Sequence, residues 1–175
     1  MVIMMQSRSS RICICALFCA VGIILGYIES FIVLPVRIPG IRIGLANIVT
    51  LTLLYLMGPF HALIVLLLRV IMSAVLFGSG ISFVYSLCGA LISYAGMLLL
   101  KKGGFSMPGV SAAGAVLHNA GQILAAYVLI GNVYVFSYLP ILTLAGVIFG
   151  LFTGLVAAVV TVRLNNIINK ERGNI

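Results

Sequence analysis

Few side chains in this sequence could do chemistry, and they can be named one by one. There is no aspartate, and only two acidic side chains occur, Glu29 and Glu171. Within the apolar stretches stand Glu29, Asn47, Thr50, Arg69, Ser73, Ser111, His118, Asn119 and Gln122, and Arg37 and Arg42 flank a Pro-Gly turn. This set cannot build an aspartate-held Mg²⁺ cluster or a pair of intramembrane carboxylates for acid–base work. His118 has no further ligands around it in sequence that would make a metal site. Cys13, Cys15, Cys19 and Cys88 all fall in apolar runs and read as small apolar filler. The chain contains no G-x-x-x-x-G-K-[ST], G-x-S-x-G, H-E-x-x-H or C-x-x-C, so neither a P-loop ATPase nor a familiar hydrolytic or redox centre is expected. Nothing in this set looks like a reaction centre, and the solute expected is a small anionic or amphipathic molecule. The expectation is a protein that is not an enzyme and needs no cofactor.

The elements that must position these groups follow from composition. Of 175 residues, 63% are hydrophobic and 7% charged, and the mean hydropathy is +1.33. A soluble domain carries roughly 25% charged residues, so much of this surface must face lipid. A soluble enzyme and a nucleic-acid-binding domain are excluded. The net charge of +8 comes mostly from residues at the ends of apolar runs. Six such runs are read as helices, at about 12–34, 43–57, 60–77, 83–100, 108–130 and 138–162, in one integral membrane domain. A polar tail at 163–175 follows. The first run is too long for a signal-peptide core and has no A-x-A-like site after it. The second is short for a full span of about 20 residues. Helices are favoured over a barrel because the runs lack alternation. The fold class is therefore all-α, a polytopic bundle of six transmembrane helices.

Loop charge sets the orientation. With both termini on one side, that side carries Arg8, Arg11, Lys101, Lys102, Arg163, Lys170 and Arg172, and the other carries Arg37 and Arg42. The first side is read as cytoplasmic. Arg37 and Arg42 stand against this trend. Either they anchor to headgroup phosphates or they form a basic mouth that attracts an anionic substrate, and the charge trend leans to the second.

The polar groups inside the helices have two readings each. Glu29 either holds helices together by pairing with Arg69 or Arg37, or contacts a ligand. Depth counts against a direct Glu29–Arg69 pair. Helix rise puts Glu29 about 26 Å and Arg69 about 14 Å from the inner side. Arg69 is then expected to meet backbone carbonyls, Asn47 or the polar face of helix five. His118, Asn119 and Gln122 are either interhelical glue, worth roughly 1 kcal/mol each, or cavity-lining groups. Small residues four apart, Ala16 and Ala20, Gly22 and Gly26, and Gly146, Gly150 and Gly154, let helices approach closely.

Residues 39–51 (PGIRIGLANIVTL), 68–70 (LRV), 83–90 (FVYSLCGA) and 114–122 (GAVLHNAGQ) resemble the bacterial Gx transporter family. That family is also catalogued as heptaprenyl diphosphate synthase component I. The resemblance covers nearly the whole chain, with arginine at position 42 where lysine is expected. The family is similar in turn to the substrate-binding S-components of energy-coupling-factor (ECF) importers, which are six-helix membrane proteins. In those, an A-x-x-x-A on helix one contacts the transmembrane coupling subunit, and Ala16 with Ala20 matches it.

The resemblance implies an S-component-like module in the bacterial inner membrane, driven by a coupling subunit and separate ATPase subunits. It would capture a small vitamin- or precursor-type solute. Glu29, Arg37, Arg42, Asn47, Arg69, His118, Asn119 and Gln122 would attract it, line its cavity or brace it. The alternative is a non-catalytic membrane subunit of heptaprenyl or polyprenyl diphosphate synthesis.

Overall fold

A computed structural model describes residues 8–31, 45–77 and 80–173. Six α-helices follow one another: α1 (Arg8–Phe31), α2 (Leu45–Leu56), α3 (Pro59–Phe77), α4 (Gly80–Lys102), α5 (Met107–Ile130) and α6 (Leu139–Gly173). A 3₁₀ turn, Val133–Tyr138, lies between the last two. No strand occurs among the described residues. The predicted six helices are all present. Leu34, Arg37 and Arg42 lie outside the described residues.

Turn chemistry explains the breaks. Gly58 takes φ 91°, where a side chain would be strained. Its N–H and that of Met57 both bond Leu53 O, closing α2. Pro59 then opens α3, where a missing N–H costs nothing. Ser106 caps α5 by accepting from Gly109 N–H, with Pro108 in the first turn, and Gly131 closes that helix in the left-handed conformation.

Five helices are long and apolar enough to cross a membrane, and α2 is not. Its 12 residues rise about 18 Å against a hydrocarbon core of about 30 Å. It is instead a core helix, with eight of its 12 residues buried among α1, α3, α5 and α6. At the other extreme α6 continues past Val162 through the polar stretch to Gly173.

Neighbour relations close a ring: α1 packs on α3, α3 on α4, α4 on α5, α5 on α6, α6 on α2, and α2 on α1. The outward faces are apolar, with Leu17, Ile24, Val75, Leu99, Val128, Leu144, Leu155 and Val159 all exposed. Apolar faces of that extent suit lipid, not water. The architecture is a multi-pass, all-α membrane bundle. The α2–α3 end of its interior is filled by Leu51, Leu53, Leu54, Met97, Val65 and Val110, all fully buried. The other end is not filled.

Candidate functional site: a polar cavity on the bundle axis

Above the packed end lies a cavity of ≈ 180 Å³ with walls from all six helices. Its apolar lining is Ala46, Leu66, Val70, Ala74, Phe77, Phe83, Ala90 and Ala115. Into it open Glu29 from α1, Asn47 from α2, Arg69 and Ser73 from α3, Ser82, Ser86 and Ser93 from α4, His118 and Asn119 from α5, and Thr153 from α6. Polar groups at membrane depth are costly and gather where water or a ligand can meet them. Tyr27 and Phe77 stand at the rim, half-exposed, with ring centroids 4.6 Å apart across α1 and α3.

Six residues picked out by type alone, Glu29, Asn47, Arg69, Ser73, His118 and Asn119, thus share one cavity. Glu29 is buried, at 9% exposure. Arg69 is placed by a notch in α1: a side chain at Gly22 would come within 2.9 Å of Arg69 Cδ and 3.6 Å of Val49. Gly26, one turn on, faces Ala46. The helix-one glycines therefore pack inward. Ala16 and Ala20 lie on the opposite, exposed side of α1. From Gly22 to Glu29 is seven residues, about 10 Å of rise, so the arginine stem and Glu29 enter the cavity at different depths.

On α5 the polar face divides. Asn119 lines the cavity and its Nδ2 donates to Leu142 O on α6 at 2.9 Å. Ser111 meets Thr153 at 3.3 Å, and Thr153 also donates to Phe149 O. Gln122 is buried but does not line the cavity. It packs instead against Gly89 of α4, and its Oε1 has no hydrogen-bond partner among the described residues. Gly89 admits both Gln122 and His118: a Cβ there would sit 2.8 Å from His118 O and 3.1 Å from His118 Cε1.

The small-residue stripe of α6 does the matching job against α5. A Cβ on Gly150 would lie 2.6 Å from Ala112 Cα, and one on Gly154 2.6 Å from Pro108 Cα. Gly146 faces Val116 N and Asn119 Nδ2 at 3.2 and 3.1 Å. Backbone contact on this scale is what brings Thr153 into the cavity wall. At the packed end α4 ties down the α2–α3 corner. Lys101 Nζ donates to Leu54 O and lies 4.5 Å from the centre of the Tyr55 ring, and Tyr94 OH donates to Pro59 O. The ammonium satisfies a carbonyl left open at the C-terminus of α2 and complements its dipole.

Reading residue types alone passed over Ser82, Ser86 and Ser93, which make α4 the most hydroxyl-rich wall. Their offsets of four and seven do place them on one helix face. Thr153 and Tyr27 were also passed over. Among the described residues no three His, Cys, Asp or Glu side chains gather where they could hold a metal ion.

A multi-pass helical membrane bundle enclosing a polar, centrally placed cavity is the class this fold and site define. The family model for heptaprenyl diphosphate synthase component I matches residues 18–160, from within α1 to within α6. The chain belongs to that family. Comparison with the curated proteins and with the solved structures returns no match.

Proposed function

We propose that the chain is a membrane solute-binding subunit, S-component-like, that captures a small polar molecule and makes or breaks no bond itself. One observation carries this reading: a ≈ 180 Å³ cavity on the axis of an apolar bundle, with polar groups converging from every helix. A scaffold without a ligand gains nothing from Glu29, Arg69, His118 and five serine or threonine hydroxyls around a space. Lipid would reward apolar filling there. In this reading the protein sits in a bacterial inner membrane with both termini cytoplasmic, and Arg37 and Arg42 attract the solute from the outer side. The exposed Ala16–Ala20 face receives an ECF coupling subunit, and separate ATPase subunits supply the energy.

The family description favours a second reading, a non-catalytic membrane component of heptaprenyl diphosphate synthesis. The cavity fits that chemistry less well. A diphosphate calls for several cations or a carboxylate-held Mg²⁺, and the described lining offers one arginine and one glutamate.

Affinity purification of the chain from native membranes, with its partners identified by mass spectrometry, separates the two. A coupling subunit with ATPase subunits is the expected company. A prenyl synthase large subunit in their place would overturn the transport reading.

A further inference from the structure

Building on the solute-binding reading, we infer that the cavity takes a small zwitterion, with its carboxylate end deep at Arg69 and its ammonium end nearer the rim at Glu29. Both charged groups open on the same space, and Glu29 stands about 10 Å further along α1 than Gly22, which packs against the Arg69 stem. In an apolar bundle a ligand's charge must be matched locally, because solvent screening is weak. An anion would meet Arg69 but also stand against Glu29, and a cation would do the reverse. A dipolar molecule satisfies both ends at once, whether or not the two side chains touch each other when no ligand is bound. Multiply charged anions such as diphosphate are disfavoured most, since among the described residues the lining pairs one guanidinium with a carboxylate.

The middle of the cavity supports the same class. Ser73 of α3 and Ser86 of α4 supply hydroxyls that donate or accept, which suits a short polar spine. Size sets the scale. At about 30 Å³ per water, the volume of ≈ 180 Å³ equals roughly six waters. That suits a compact solute.

The test uses the full chain purified in mild detergent, with calorimetric titration as the readout. The probes are ω-amino acids from glycine to 6-aminohexanoate, each beside its carboxylate-only and amine-only analogue, together with inorganic diphosphate. At least one ω-amino acid should bind at least tenfold more tightly than both of its single-charge analogues. Glu29→Gln should move the preference toward the carboxylate-only analogue, and Arg69→Gln toward the amine-only one. Tighter binding of diphosphate or of a single-charge analogue to the unaltered protein overturns the zwitterion assignment. That ranking decides the matter even where a charge variant fails to fold. If such a ligand is also displaced by the cavity-filling Ser86→Leu, solute binding stands and only the ligand class falls. No binding by any probe, with no small molecule co-purifying, removes both.

Discussion

Gly22 shows how one missing side chain can serve a site. Its notch holds the stem of Arg69, and the atom that an added methyl would meet is a side-chain carbon, not backbone. Gly22→Ala should therefore displace the guanidinium more than the helices. Solute affinity is expected to fall severalfold while the unfolding free energy changes by no more than about 0.5 kcal/mol, the range of mild substitutions. A large stability loss with unchanged affinity would mean that Gly22 serves only packing. Lys101 makes the opposite prediction, because it acts at the packed end and away from the cavity. Lys101→Met removes a charge-assisted bond to the C-terminus of α2 and should cost about 1 kcal/mol. Denaturation in detergent should register that loss with solute affinity unchanged. At this scale the sequence singled out Arg69, Asn47, His118, Asn119 and Glu29, because charged and amide groups are rare in apolar runs. The serines of α4 escaped because a serine in a helix can bond its own backbone carbonyls, so its presence alone demands no partner. Gln122 was grouped with His118 by spacing, and yet a difference of four residues left it at the α4–α5 contact. Spacing finds the face of a helix but not where the cavity ends along it.

Helix contacts in this bundle are set by glycines whose environments differ, and substitution should reveal the difference. An added Cβ at Gly89 meets the backbone oxygen of His118, whereas at Gly96 the nearest atom is a terminal methyl of Leu117 at 2.0 Å, which can rotate away. Gly96→Ala should be tolerated within about 1 kcal/mol. Gly89→Ala should push α4 from α5, shift His118 and weaken binding along with stability. Gly150→Leu should be worse, at about 1–3 kcal/mol or more, since α5 backbone stands at 2.6 Å. Thermal unfolding of the three variants ranks them, and equal losses would contradict the packing described. The Gly146, Gly150 and Gly154 stripe was legible from its spacing of four. The helix number was equally legible, because apolar runs and Gly-Pro breaks are strong signals. The role of α2 was only half legible. Its shortness was visible, but its burial among α1, α3, α5 and α6 depends on the ring closing around it, which no local pattern encodes. The continuation of α6 past Val162 was hidden because polar residues end a membrane span without ending a helix.

For the whole molecule, the charged ends and the outward apolar faces make two predictions. With both termini cytoplasmic, a cysteine at position 104 in a cysteine-free background should be labelled only from inside, and one at position 132 only from outside. Labelling of both from one side would contradict that orientation. Ala16 and Ala20 are exposed on the side of α1 away from the cavity, so Ala16→Leu with Ala20→Leu should disrupt partner binding and spare the isolated protein's melting temperature. A lowered melting temperature with the complex intact would end the docking proposal. The central claim is that the axial cavity holds a solute. Native mass spectrometry of the chain extracted in mild detergent tests it most directly, using the unaltered protein beside Ser86→Leu and Ala115→Phe, which fill the cavity from α4 and α5. The account predicts a small-molecule adduct on the unaltered protein that both filled variants lose while remaining folded. An absent adduct, or one that persists in the filled variants, would contradict it.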